Sequence, residues 1–345
     1  MAEFRQDIIT GRRVIVATDR ARRPETFLPV GSENIREDLP DHVNNCPFCY
    51  GNEGMTPPEK VAWRADGPAD SPGWKVRVVP NKFPAVEIKG QPPSHSLAEE
   101  RFFRQMPGYG EHEVIIENPL HNRHPGEIAL DQMQNVLECY RHRYINLAEN
   151  PFLRSVNIYR NHKKEAGASM EHPHSQVIAL PFIPFDLREE IEGSHRFYLE
   201  KGRCAYCTMI EEDSDFSQHV ICGNNEFVAI VPYAARLPFE TWIIPRKHQP
   251  SFTDMGTGQL EQLSRIMTNV LRRLAVSLDD PPYNYYIHSA PILTESLPHY
   301  HWHLEIFPRL TIVAGFEMAS GVYINETVPE ESARYLREVK GNVYA

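Results

Sequence analysis

The sequence carries one ligand order twice, and that duplication limits the folds open to it. Cys46-Pro-Phe-Cys49 is followed by His121 and then by His172, which opens His172-Pro-His174-Ser-Gln176. Cys204-Ala-Tyr-Cys207 is followed by His248 and then by His299, which opens His299-Tyr-His301-Trp-His303. The last gap is the same in both copies: 172 − 121 = 51 and 299 − 248 = 51. Two thiolates and two imidazoles make a full tetrahedral set for zinc. The spacing therefore predicts two structural ions per chain. One set is Cys46, Cys49, His121 and His172, the other Cys204, Cys207, His248 and His299. With four protein ligands each, neither ion keeps a position for activated water. Iron in place of zinc at one site stays open. So does the plainer alternative of redox thiols beside core histidines.

Composition narrows the class. At 345 residues, 41% of them hydrophobic, the chain can form two domains or one large domain of two related halves. Four of the six cysteines fall in the two Cys-x-x-Cys pairs, which in a reducing compartment point to metal or redox chemistry rather than disulfides. The opening Met1-Ala-Glu-Phe-Arg lacks the pattern of a signal peptide, and no run approaches eighteen apolar residues. A cytoplasmic protein without a membrane span is expected. The net charge of −10 argues against a nucleic-acid partner, which needs a basic surface. A local cluster such as Arg12, Arg13, Arg20, Arg22 and Arg23 could still meet a small phosphorylated ligand, although composition alone favours a solvated loop.

The duplication extends beyond the ligands. Glu113-Val-Ile-Ile-Glu-Asn-Pro-Leu-His121 parallels Glu240-Thr-Trp-Ile-Ile-Pro-Arg-Lys-His248, an apolar strand running into a histidine. Each is followed by an amphipathic helix, Leu130–Ala148 or Thr257–Ser277, with apolar residues at helical spacing. Further strands are predicted at Ser155–Arg160 and Tyr283–His288, then at Gln176–Leu180 and His303–Phe307. The pattern is α+β: two similar units sharing a mainly antiparallel sheet with flanking helices. The halves divide as residues 1–183, the catalytic half, and 184–345. Lys89–Tyr109, rich in Gly, Pro and charge, has no counterpart and reads as an inserted loop. Pro184–Gly202 reads as a polar bridge.

Period-two geometry puts His172, His174 and Gln176 on one strand face. His172 is taken by metal, which leaves His174 beside a rigid site with Gln176 as a neutral donor two residues on. An imidazole held in one tautomer by a backbone carbonyl can attack phosphorus near neutral pH. The preceding loop offers Gly167 for close approach and Ser169 for a phosphate oxygen. The alternative, an unused third imidazole near a metal, is equally open on these residues alone. His301 and His303 could line the site, bind metal or pack.

These motifs resemble the galactose-1-phosphate uridylyltransferase family of the histidine-triad superfamily over nearly the whole chain. Thr10–Pro24 is similar to that family's N-terminal signature, and its nucleotide-side arginines fall on Arg20 and Arg23. Asn81 and Phe83 match the segment near base and ribose. Asn161, Gly167 and Ser169 match the phosphate-contacting run. The nucleophile falls on His174 and the phosphate-binding glutamine on Gln176. Near the C-terminus, Gly315, Glu317, Gly321 and Asn325 match substrate-contacting positions, with an ordinary surface carboxylate as the alternative for Glu317. The chain departs from the pattern at Ala168, where the family commonly has cysteine, and at Tyr323, where uridylyltransferases tend to have glutamine. Its second Cys-x-x-Cys is more similar to the branch that includes plant ADP-glucose phosphorylase.

The resemblance implies a fold of tandem duplicated histidine-triad-like units and a ping-pong nucleotidyl transfer through His174, in a homodimer whose active sites draw on both chains. The substrates would be a nucleoside-diphosphate sugar and a sugar 1-phosphate or phosphate. UMP exchange between UDP-glucose and a hexose 1-phosphate is the leading expectation, and ADP-glucose phosphorolysis or adenylyl transfer the alternative. A nucleotide hydrolase fits less well, because Gln176 stands where hydrolases of this superfamily usually have histidine. A zinc-containing binding protein is the reading from outside enzymology.

Overall fold

The computed structural model describes residues 2–17, 40–89, 92, 102–103, 105–212, 214–292 and 297–339. Arg20, Arg23 and most of the Lys89–Tyr109 insert lie outside the described residues. The first part of the chain forms β1 (Glu3–Gln6), β2 (Arg13–Val16), β3 (Val61–Arg64), β4 (Trp74–Pro80), β5 (Glu111–Ile116), α1 (Leu130–Ala148), β6 (Ser155–His162) and β7 (His174–Leu180). Next come α2 (Phe185–Lys201), α3 (Ala205–Glu212), α4 (Phe216–His219), β8 (Val220–Gly223), β9 (Phe227–Ile230) and β10 (Thr241–Pro245). The chain continues through α5 (Thr257–Leu278), β11 (Tyr283–His288), β12 (His303–Pro308), α6 (Gly315–Ser320), β13 (Tyr323–Asn325) and α7 (Pro329–Arg337).

Ten strands form one sheet in the order β3-β4-β5-β7-β6-β11-β12-β10-β9-β8. The order is a palindrome of the duplication: each half contributes five strands, and the halves meet where β6 pairs with β11. Every pairing in this sheet is antiparallel. The α+β expectation stands. A second sheet, β1-β2-β13, ties the N-terminal hairpin to the end of the second half, with β13 parallel to β2.

Alternation along each strand decides which face carries chemistry. On β7, Val177 and Ala179 join the main core, as do Leu304 and Ile306 on β12. That core is closed by the apolar stripes of α1 and α5, including Met133, Val136, Leu137, Leu263, Met267 and Val270. His174 and Gln176, and likewise His303 and Glu305, alternate with those residues and face the other side. Under the seam, Arg160 donates to Glu117 at 2.9 Å, and the Tyr140 hydroxyl donates to the same carboxylate at 2.8 Å. Arg160 and Glu117 are buried, so their mutual pairing keeps either from being an isolated buried charge.

The polar bridge expected at Pro184–Gly202 is in fact a helix, α2, ended by Gly202 in the left-handed region at φ 70. The segment has helical propensity, but its burial comes from tertiary contact rather than a strong apolar stripe: Leu187, Glu190, Gly193 and Ser194 are its buried residues. Gly193 lies so close to the turn between β1 and β2 that an added Cβ would sit 1.8 Å from the Ile9 carbonyl oxygen. Replacing a mid-helix glycine by alanine ordinarily adds about 1 kcal/mol of helix stability. Here the backbone clash should win. Gly193→Ala is expected to lower stability by about 1–3 kcal/mol, read from the denaturant midpoint.

Candidate functional site

Four ligand atoms from separate parts of the first half converge. The Cys46 Sγ lies 3.7 Å from His172 Nδ1, and the Cys49 Sγ lies 3.5 Å from His121 Nδ1 and 3.6 Å from His172 Nδ1. A tetrahedral ion bound by sulfur and nitrogen at its usual distances separates those atoms by about 3.6 Å. Donor type and spacing therefore fit a metal ion and are compatible with zinc. His172 donates its other ring hydrogen, on Nε2, to the Asn118 carbonyl at 2.7 Å, which fixes Nδ1 as the ligating atom.

The second half builds the matching cluster from Cys204, Cys207, His248 and His301. Sulfur-to-nitrogen separations are again 3.6 and 3.7 Å. This corrects the expectation for His299. The equal gap of 51 residues had aligned His299 with His172, but strand register aligns His301 with it instead. His172 lies two residues before His174, the first residue of β7, and His301 two residues before His303, the first of β12. Tyr159 faces Gln176 across β6 and β7, and Tyr286 faces Glu305 across β11 and β12. His299 instead packs on α2, its ring 4.7 Å from that of His195. The better sequence signal was His-x-His-x-Gln against His-x-His-x-Glu, with the polar residue as the third mark.

His174 donates from Nδ1 to the His172 carbonyl at 2.8 Å. Burial holds the imidazole below its ordinary pKa, with the nearby Arg160 cation acting in the same direction. The ring is thus neutral near pH 7, its proton is on Nδ1, and the Nε2 lone pair is free. Phe48, from the first Cys-x-x-Cys, packs on His174 at a ring distance of 5.4 Å. Gln176 Oε1 accepts from Asn81 Nδ2 at 3.3 Å, from the Tyr159 hydroxyl at 3.2 Å and from His112 Nε2 at 2.8 Å. His112 and Tyr159 were not singled out in the sequence. Their signal is one of strand pairing: Val114 faces Gln176, which puts His112 on its diagonal.

The other expected residues divide. Asn161 meets the loop before β7, donating to the Gly167 carbonyl at 3.4 Å and accepting from Asn284 at 2.8 Å. Gly167 caps the 3-10 turn Lys164–Ala166 at φ 91, a conformation that favours glycine. Ser169 is exposed on the same loop, and Phe83 is 83% exposed, its amide bonded to Asn81. Gly315, Glu317 and Gly321 lie on α6 and its C-terminal cap, where Glu317 accepts from the Ala314 amide at 3.1 Å. Among the described residues, no hydrogen bond joins them to His174 or Gln176. Asn325 is corrected to a structural role. It is 0% exposed, its amide donates to the Ala235 and Leu237 carbonyls, and its oxygen accepts from Thr327. No atom is left for a ligand.

The second half repeats the geometry without the donor. His303 donates from Nδ1 to the His301 carbonyl at 3.2 Å, and Tyr206 packs on it at 5.0 Å, as Phe48 packs on His174. Where Gln176 stands, this half has Glu305. Burial alone would raise its pKa, but Arg236 at 2.7 Å and the flanking histidines hold it well below the usual carboxylate range. A fixed anion at that position repels phosphate, whereas the Gln176 amide can donate to it. Glu190, His288, His303 and Glu305 form a third group close enough to hold a cation, unforeseen because Glu190 arrives from α2.

The chain matches the description "galactose-1-phosphate uridyl transferase, N-terminal domain" over residues 1–184, and that family's C-terminal domain over residues 155–344. It is 35% identical to the ADP-glucose phosphorylase of Arabidopsis thaliana over 339 residues, 98% of this chain and 93% of that one. It is 27% identical to the galactose-1-phosphate uridylyltransferase of Thermotoga maritima, covering 99% of each. The crystal structure of the Arabidopsis ADP-glucose phosphorylase with bound ADP-glucose superimposes with a TM-score of 0.81 at 35% identity over 99% of both chains. A uridylyltransferase structure superimposes with 0.73 at 26% identity over 98% of this chain and 97% of that one.

Metal analysis separates the two histidines of the second cluster. His301→Ala should lose about one metal equivalent per chain relative to the unsubstituted protein, and His299→Ala none. The reverse pattern would overturn the register-based assignment.

Proposed function

The chain belongs to the galactose-1-phosphate uridyl transferase family, and from that premise we propose that it moves a nucleotidyl group from a nucleoside-diphosphate sugar through a covalent intermediate on His174. The observation that carries the assignment to His174 is its hydrogen bond to the His172 carbonyl. That bond fixes the tautomer, and burial keeps the ring neutral, so the free Nε2 lone pair is ready for attack.

In the first step Nε2 attacks the α-phosphorus. A nitrogen–phosphorus bond forms, the bond to the bridging oxygen breaks, and the sugar 1-phosphate leaves with that electron pair. The positive charge that develops on the ring is stabilised through Nδ1–H by the His172 carbonyl. Gln176 supplies an amide donor to a phosphoryl oxygen, and Ser169 with the Gly167 backbone lies on the adjoining loop. In the second step an oxygen of the acceptor phosphate attacks phosphorus, and the nitrogen–phosphorus bond returns its pair to Nε2. Two displacements replace one. Zinc, bound by Cys46, Cys49, His121 and His172, would act structurally, and a second ion would do the same on Cys204, Cys207, His248 and His301. The residues' part is to hold the start of β7, and with it His174, in place.

Two donors compete. UDP-glucose with a hexose 1-phosphate as acceptor follows from the family and from the Thermotoga relative. ADP-glucose with phosphate is favoured by the higher identity to the Arabidopsis phosphorylase, 35% against 27%, along 98% of the chain. The halves 1–183 and 184–345 are read as a catalytic unit and a supporting one. A homodimer would bring Gly315 and Glu317 of a second copy to this site. The large apolar side chains around them, Ile312 at 91% and Met318 at 79% exposed, support such a contact. Arg20 and Arg23 are proposed for the nucleotide side, Asn81 and Phe83 for base and ribose, and the cytoplasm for location. No described helix is long and apolar enough to cross a membrane.

Mixing the protein separately with UDP-glucose and ADP-glucose, without acceptor, and measuring intact mass should reveal a uridylyl or adenylyl adduct that is lost in His174→Ala. The nucleotide retained identifies the donor. If neither sugar nucleotide leaves an adduct, the covalent reading fails.

A further inference from the structure

We propose that His112 is a positioning residue that orients Gln176, so that the amide nitrogen rather than the oxygen faces the reacting phosphate. The inference rests on the nucleotidyl-transfer reading above and extends it to a side chain on the neighbouring strand.

The argument begins with the ring's own tautomer. His112 Nδ1 accepts from the Ala85 backbone amide at 3.0 Å, and a backbone N–H can only donate. Nδ1 therefore carries no hydrogen, and in the neutral ring Nε2 does. Nε2 lies 2.8 Å from Gln176 Oε1 and 3.0 Å from Asn81 Nδ2, and of the two only the oxygen can accept, so the ring donates to Gln176. The Tyr159 hydroxyl and Asn81 Nδ2 approach the same oxygen at 3.2 and 3.3 Å. Turning the amide over would set NH2 against these donors, so the arrangement selects one orientation. Among the described residues, Gln176 Nε2 makes no hydrogen bond within the chain, and it is the group left for a phosphoryl oxygen. His112 makes the shortest of the three contacts, and the backbone bond to Ala85 fixes its ring.

The duplication supports this reading. On β5, Val114 faces Gln176, and on β10, Trp242 faces Glu305, so strand register matches Glu240 with His112 and not with Glu113, as the sequence parallel had it, and puts both on the diagonal. In the second half Arg236 bridges Glu240 and Glu305, at 3.0 and 2.7 Å. Both halves thus use the diagonal position to fix the polar residue of β7 or β12. One fixes a donor for phosphate, the other a buried anion.

The test is the single-turnover rate of adduct formation, with UDP-glucose or ADP-glucose as whichever donor labels the unsubstituted protein. His112→Phe keeps a ring but removes the donor. It should slow the chemical step by about 10- to 100-fold, with less than about a threefold change in the donor concentration at half-maximal rate. His112→Gln, which returns an NH2 near the position of Nε2, should restore most of the rate. In a Gln176→Ala background, His112→Phe should have little further effect, because its role runs through Gln176. Multiplicative losses in the double variant, or an unchanged rate in His112→Phe while the unsubstituted protein forms its adduct, would overturn the positioning role alone. Absence of an adduct in the unsubstituted protein would overturn the transfer reading, and this role with it.

Discussion

The candidate site depends on how His172 is committed at both ring nitrogens and at its carbonyl. Nδ1 faces the Cys46 and Cys49 sulfurs, Nε2 donates to the Asn118 carbonyl, and the carbonyl accepts from His174. A single residue therefore links the metal cluster to the start of β7 and sets the tautomer of its neighbour. The separations within that cluster suit an ion, and the cluster lies on the face of the sheet opposite the main hydrophobic core. Core packing fixes where β7 runs; the cluster fixes how it begins.

The pseudo-symmetric sheet sets two versions of one unit side by side. Both halves keep the thiol and imidazole cluster, the histidine bonded to the carbonyl two residues back, and an aromatic ring from the Cys-x-x-Cys against that histidine. They differ in the residue two places further on. Gln176 can donate to phosphate, whereas Glu305 is an ionised acceptor bound by Arg236. A neutral amide in one half and a fixed negative charge in the other make the two positions electrostatically unlike despite the shared geometry. The second half also carries α6 and supplies β13 to the small β1-β2-β13 sheet.

The seam between halves has its own electrostatic logic. Arg160, Glu117, Tyr140 and Tyr285 come from β6, the segment after β5, α1 and β11, and they satisfy one another in the interior. Removing one member would leave another buried without its partner. The network lies beneath the strands that carry Tyr159 and His174, so the halves share a foundation as well as a sheet.

By itself the sequence determined the duplication, the α+β class, the first cluster in full, and the position of His174 and Gln176 on one strand face. Those are local or periodic properties: ligand chemistry, helical spacing and strand alternation survive without knowledge of neighbours. The equal 51-residue gaps pointed to His299, but loop length is not a register, and pairing of β11 with β12 placed His301 in the cluster instead. Asn325 matched a ligand position and is enclosed by Ala235, Leu237 and Thr327, because β13 joins the small sheet beneath the second half. His112, Tyr159 and Glu190 became visible only when separate strands and α2 were brought together. Which residue faces which across a sheet is set by pairing and packing between distant segments, and that the tertiary structure alone decided.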